Sequence, residues 1–223
     1  MKSRKSEVRS QKSGIRPPTS SFRPLLIVIS APSGGGKTTL CQQLLAARPD
    51  LTRAITCTTR LPRPGERNGV DYHFLTAPDF KKRVRAGDFL EHATVFGRSY
   101  GTLRSEVMDQ LRAGRDVLLN VDVQGAAAIR ECAPGEPDLK RALVTVFLTP
   151  PSVAVLAERL NQRNTDAPEE IQKRLALARQ EISQWRHFDY LLVSSTIPED
   201  LRRMLAIVEV EKMRTARTRM QGF

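Results

Sequence analysis

An apolar run, Leu25-Leu26-Ile27-Val28-Ile29, that breaks abruptly into Ala31-Pro32-Ser33-Gly34-Gly35-Gly36-Lys37-Thr38-Thr39 constrains this chain more than any other feature. Five consecutive apolar residues suit a strand buried on both faces. After the glycines, Leu40, Leu44 and Ala47 fall at helical spacing over 38–47, and Pro49 stops the helix. A buried strand, a glycine loop and a helix in that order have the spacing and setting of a Walker A phosphate loop. Its chemistry follows from the residue types. Glycines let successive backbone N–H groups turn inward around a polyphosphate, and the helix N-terminus adds its positive dipole end. Lys37 would reach the β- and γ-phosphates, and the Thr38 hydroxyl would sit on Mg²⁺. Ala31 replaces the usual first glycine, which costs backbone freedom but spares the three inner glycines.

Further buried-strand runs are expected at 117–123, 143–148 and 190–193, each followed by helix-compatible sequence. Repetition of this kind predicts an α/β fold, a parallel central sheet wrapped by helices. Asp122 ends the first of these runs, so its carboxylate should emerge at the carboxyl edge of the sheet, where such folds bind ligands. It is a candidate for the Mg²⁺ shell, the alternative being a simple helix N-cap. Between Thr56 and Thr102 the pattern changes. Asn68-Gly69 marks a turn, Val70, Tyr72 and Phe74 alternate, and a strand-like run covers 89–95, so a small β-rich insertion is expected. A polar stretch over 162–168 between two helical patterns reads as a lid. The helix around 201–210 carries apolar Leu201, Leu205 and Val208, and either packs on the core or pairs two subunits.

With 223 residues, 40% of them hydrophobic, there is material for one sizeable core with insertions. No apolar run approaches the roughly 18 residues a membrane span needs, which points to a cytoplasmic protein without a membrane partner. Cys41, Cys57 and Cys132 are odd in number and unpaired in spacing, which argues against a disulfide framework or zinc site and suits a reducing compartment. His73, His92 and His187 form no metal-ligand pattern. The net charge of +12 invites a nucleic-acid partner. Half of it, however, lies in the first 24 residues: seven Lys and Arg against Glu7 give +6. That Ser/Pro-rich segment is expected to be a disordered basic arm over 1–23, with nucleic acid not required for function. Its composition also resembles a transit peptide, although Pro17 and Pro18 spoil an amphipathic helix.

The segment Thr56-Cys57-Thr58-Thr59-Arg60-Leu61-Pro62-Arg63-Pro64-Gly65-Glu66 presents two guanidiniums three residues apart in a proline-punctuated loop, an arrangement suited to a dianionic phosphate. Asn68-Gly69-Val70-Asp71-Tyr72, Phe89-Leu90-Glu91 and Gly97-Arg98-Ser99-Tyr100-Gly101-Thr102 follow. With these motifs the chain resembles the guanylate kinase family, from Leu25 onward. The resemblance implies transfer of the γ-phosphoryl of ATP to GMP, dGMP included, with Mg²⁺ as cofactor. It assigns Arg60, Arg63, Tyr72 and Tyr100 to the GMP phosphate, and Thr56, Glu91 and Thr102 to the guanine, with Asp122 also facing GMP. Read for themselves, the residues leave alternatives open: Tyr72 alternates with Val70 and Phe74 as a core-facing strand aromatic would.

Arg159, Arg163 and Arg174 resemble the family's lid arginines, which neutralise the transferring group together with Lys37 and Arg60. Ordinary surface pairing explains Arg174 as well, because it lies four residues after Glu170. The implied organisation is a core over 24–55, 103–156 and 175–223, a GMP-binding insertion over 56–102 and a lid over 157–174. Two departures stand out. Asn120 occupies a place where family members often carry a carboxylate, and Ser194-Ser195 one where an Asn-Asp pair frequently contacts adenine. A binding-only module of the same fold is the rival from another class, but it would need neither Lys37 nor the lid arginines.

Overall fold

The computed structural model describes residues 22–95, 97–162 and 168–218. The expected disorder of the arm before Phe22, and Arg163, lie outside the described residues. Strand β1 (Leu26–Ser30) is central and buried along its whole length. It pairs in parallel with β7 (Asp116–Asn120) on one side and β8 (Leu143–Thr149) on the other. Outside these lie β2 (Leu51–Arg53) and β9 (Tyr190–Val193), also parallel, giving the order β2-β7-β1-β8-β9. Successive side chains of β1 serve opposite faces, as the pleat requires. Ile27 and Ile29 join Leu40, Leu44 and Met204, while Leu26 and Val28 join Val107, Ala126 and Ile129. Burying each such side chain stabilises the fold by roughly 2 kcal/mol.

Two expectations change here. The apolar run over 117–123 does not stay extended: strand β7 ends at Asn120, and α4 begins at Val123 (Val123–Cys132). Asp122 captures the chain for the helix, its Oδ1 accepting from Gly125 N at 2.7 Å. The alternation over 70–74 yields only the short β4 (His73–Phe74). Arg67 O accepts from both Val70 N and Asp71 N, and Gly69 takes φ 76°, so the segment curls before it can pair.

The 56–102 region forms a second sheet, β4-β3-β6-β5, from β3 (Thr56–Thr58), β5 (Phe89–Val95) and β6 (Arg98–Leu103). It is not purely β, because α2 (Ala77–Ala86) packs Phe80 against Phe89, with ring centroids 4.6 Å apart. Between the two sheets in sequence runs α3 (Arg104–Arg112), and α5 (Pro137–Ala142) leads into β8. Two helices, α6 (Val153–Gln162) and α7 (Pro168–Ser183), share a small cluster of their own around Leu156, Leu160 and Ala178. Helix α8 (Ile197–Met213) buries Met204 and Val208 in the core. Among the described residues no helix is long and apolar enough to cross a membrane, and all three cysteines are free thiols.

Candidate active site

The turn from β1 into α1 (Lys37–Ala47) has the backbone of a phosphate cradle. Gly34 and Gly36 sit at φ 83° and 93°, which a side chain would resist, and a Cβ on Gly35 would come within 2.9 Å of Pro32 O. Ala31 is tolerated in place of glycine because its methyl packs into the core. No side chain caps the N-terminus of α1, so its first N–H groups face the cavity with their donors available. That cavity, about 650 Å³, is lined by Ala31–Thr39 on one wall, Thr94, Asp122 and Gln124 on another, and Arg174 and Glu181 of α7 on a third. Thr38 and Thr39 are exposed to it.

Lys37 Nζ donates to Val121 O at 2.8 Å, which holds the ammonium between the loop and the carboxyl edge of β7. Burial lowers its pKa, opposed chiefly by the neighbouring Asp122. Asp122 is the N-cap of α4 through Oδ1, which leaves Oδ2 as its remaining acceptor atom. Thr38 and Asp122 therefore offer one hydroxyl and one carboxylate oxygen to the same space. Among the described residues no cluster of three His, Cys, Asp or Glu forms a cage. A donor set this sparse fits a magnesium ion held mainly by phosphate and water oxygens, as Mg²⁺ prefers.

The second sheet aligns the other candidates in rows. Thr56 pairs with Thr102, and Thr102 with Glu91, so three strands place these residues side by side. Glu91 is only 5% exposed, and Thr102 Oγ1 donates to its Oε1 at 2.7 Å. Burial pushes the Glu91 carboxyl up to about 7, Thr102 opposing. Helix α4 presses on it closely: a Cβ on Gly125 would lie 2.9 Å from Glu91 Oε2, so a side chain there would have to displace the carboxylate. In the next row Tyr100 pairs with Thr58. Tyr72 and Tyr100 meet edge to face at 6.3 Å, and the Arg60 guanidinium lies over Tyr72 at 5.3 Å and Phe74 at 5.8 Å. Arg60, Tyr72 and Tyr100 are thus brought together, and Tyr72 faces this cluster rather than the core. Arg63 is exposed, and its backbone N–H and C=O are both engaged by Glu66.

Arg159 lies on the far side of the loop, 3.9 Å from where a Gly36 Cβ would be, and its Nη1 donates to Ser194 Oγ at 3.1 Å. A second cavity of about 370 Å³ runs between the loop glycines, Arg159, Ser194, Ser195 and Asp200. Asn120 is exposed at the end of β7.

Two carboxylates emerge that motif reading overlooked. Glu181 Oε2 accepts from Ser33 N at 3.1 Å, tying α7 to the phosphate loop. Its signal was its place seven residues after Arg174, on the same helix face. Glu66 grips Arg60, and it stands among Arg60, Arg63 and Arg67 in its loop.

A parallel sheet opening onto a glycine loop and an uncapped helix, faced by a polar second sheet, defines a kinase of the P-loop class. The guanylate kinase family model matches residues 23–211. A guanylate kinase of Maricaulis maris is 42% identical over 87% of this chain and 87% of its own length. One from Coxiella burnetii is 43% identical over 84% and 88%. The crystal structure of guanylate kinase from Anaplasma phagocytophilum superposes with a TM-score of 0.70 at 31% identity, covering 89% of this chain and 93% of that one. The chain belongs to the guanylate kinase family.

Proposed function

We infer that this protein transfers the γ-phosphoryl group of ATP to GMP, giving ADP and GDP. The observation that carries this reading is the row Thr56–Thr102–Glu91, with Arg60, Tyr72 and Tyr100 one step further along the same sheet. A buried carboxylate with a paired threonine suits guanine, whose N1–H and N2 amino group are both donors. Thr102 spends its proton on Glu91, so Thr56 is the hydroxyl left to donate to O6. Adenine would turn an acceptor toward Glu91, and a site built on such bonds rejects a mismatched base by about 10⁴-fold. Arg60, Arg63 and the two phenols would bind the phosphate; dGMP lacks only a hydroxyl that this set does not address.

The donor side falls to the loop. Backbone N–H groups of Gly34 and of Gly36 to Thr39, together with the Lys37 ammonium, would hold the β- and γ-phosphates, Ser33 N and Gly35 N being engaged by Glu181 and Pro32 O. Thr38 and Asp122 are the residues that would hold Mg²⁺, which would supply charge neutralisation for the phosphates there. Arg174 on one side and Arg159 on the other suit neutralisation of the moving phosphoryl group, with Arg163 between them in sequence. In this reading residues 56–102 are the acceptor-binding unit, 157–174 the lid, and the rest of 24–223 the core. No general base is required, because the acceptor phosphate is already an anionic nucleophile and alignment supplies most of the catalysis. The free thiols support a reducing, cytoplasmic setting.

A coupled ADP-release assay with ATP, Mg²⁺ and GMP, AMP, UMP, CMP or dTMP tests the reading. Turnover is expected with GMP alone, abolished in Lys37→Ala and cut by at least about a hundredfold in kcat/KM in Glu91→Ala. Equal turnover with AMP would sink it.

A further inference from the structure

The contacts around Arg60 reveal a role for a residue outside the substrate-binding set. A guanidinium has five N–H donors arranged on two bidentate edges, the end formed by Nη1 and Nη2 and the side formed by Nε and Nη2. In this chain the side edge is the usual grip: Arg48 uses Nε and Nη2 on Asp50, and Arg202 uses them on Glu199. Arg60 differs. Glu66 takes its end edge, Nη1 donating to Oε2 at 2.9 Å and Nη2 to Oε1 at 2.8 Å, and Leu61 O takes the second Nη1 hydrogen at 2.7 Å. The rings of Tyr72 and Phe74 cover the flat face. What is left is the side edge, Nε and the second Nη2 hydrogen, which donates to no carboxylate or carbonyl among the described residues; the Tyr100 hydroxyl lies beside the guanidinium and interacts with it as a hydrogen-bond partner.

Glu66 is itself fixed. Its Oε2 also accepts from Arg63 N at 2.7 Å, and its own N–H donates to Arg63 O at 3.0 Å, so the loop holds the carboxylate as firmly as the carboxylate holds Arg60. Both side chains are partly covered, 16% and 19% exposed, and the two-bond fork rather than burial fixes their relative geometry.

We propose that Glu66 is a positioning residue that immobilises Arg60 by its end edge so that the Nε–Nη2 edge, beside the Tyr100 hydroxyl, is aimed at the acceptor phosphate. The proposal rests on the reading of Arg60 as a contact of the GMP phosphate. Glu66 touches no substrate. It removes the rotational freedom of a long side chain before GMP arrives, so less ordering remains to be done on binding. Sharing the guanidinium is possible because carboxylate and phosphate use different edges, and Glu66 therefore does not compete with GMP.

Steady-state kinetics of Glu66→Gln, Arg60→Lys and the double variant test this. Glutamine keeps an oxygen for Arg63 N but loses one bond of the fork and its charge, so KM for GMP should rise roughly tenfold. The kcat and the KM for ATP should stay within about twofold. Arg60→Lys should also raise KM for GMP, and because a lysine has no second edge, adding Glu66→Gln should change it by less than about twofold. Full multiplication of the two effects would mean that Glu66 acts through the loop fold, and a lower KM in Glu66→Gln would make it a competitor; either overturns the proposal. A raised KM in Arg60→Lys beside an unchanged Glu66→Gln would defeat the role of Glu66 alone. An unchanged KM in Arg60→Lys would remove Arg60 from the phosphate site and the proposal with it. A measurement independent of turnover is the ¹⁵N signal of Arg60 Nε, which should shift sharply when GMP is added to the wild type and stay broad in Glu66→Gln.

Discussion

At the scale of single residues, Glu91 carries the most information, because its environment sets a cost that guanine is suited to relieve. A carboxylate buried against Gly125, Lys37 and Thr102 has too few donors to stay charged cheaply, and its pKa stands at about 7 against an ordinary 4.5. Two guanine donors would supply what the protein withholds, so part of the selectivity is stored in the free site. The linkage has a definite sign. Between about pH 4.5 and 7 the folded chain keeps a proton that the unfolded chain releases, so stability is fully present below 4.5 and declines as pH rises through 7. Glu91→Gln keeps an acceptor for Thr102 and has nothing to titrate there. Denaturant melts should therefore show the variant gaining about 3 kcal/mol on the wild type from pH 4.5 to above 7, then no further change. Parallel stability curves for the two proteins would refute the shifted carboxyl.

Among elements, the decisive relation is between α7 and the phosphate loop. Arg174 and Glu181 stand two turns apart on one face of α7, and both reach the cavity that the loop lines. Because Glu181 is anchored to Ser33 N, the distance from the loop to Arg174 is set by a rigid helix rather than by the chain around residue 165. Glu181→Ala should leave Ser33 N unpartnered and the helix untied, raising KM for ATP about tenfold and lowering kcat, with KM for GMP little changed. Glu181→Gln, which still accepts a hydrogen bond, should recover most of the loss; equal damage to both nucleotides would instead indicate general unfolding. This latch was hard to foresee, as were β2, α2 and the early end of β7. Runs such as 25–29 and 143–148 declare themselves because both faces are buried and nothing but apolar residues fits. Motifs with fixed spacing, such as the glycine loop and the Arg60–Thr102 set, were equally legible. Asp122 was legible as a cap but not as the reason β7 stops early, and the partners that Glu181 and Glu66 meet, 148 and six residues away, are not fixed by motif spacing.

Across the whole molecule, the question is whether the excess positive charge belongs to the chemistry. Of the +12, residues 1–21 contribute six Lys and Arg against Glu7, a net +5. The point from which they leave is fixed: Arg23 N donates to Arg217 O at 2.8 Å, and Phe22 pairs with Thr218, so the segment departs from the amino edge of β1. The phosphate loop begins at the carboxyl edge of the same strand, five residues on, a separation of about 17 Å at 3.3–3.4 Å per residue. That is roughly twice the screening length at physiological salt, so a charge held at that point of departure would act on the loop only when salt is low. Removing residues 1–21 should therefore leave kcat within about twofold and reduce kcat/KM for ATP mainly below about 0.05 M salt, flattening its salt dependence. The retained +7 should still draw nucleotides in, since Lys37, Arg60, Arg159 and Arg174 all lie on described elements around the two cavities and the second sheet. A fall of tenfold or more in kcat on truncation, at any salt, would make the segment part of the catalytic unit and require that it reach across the length of the sheet.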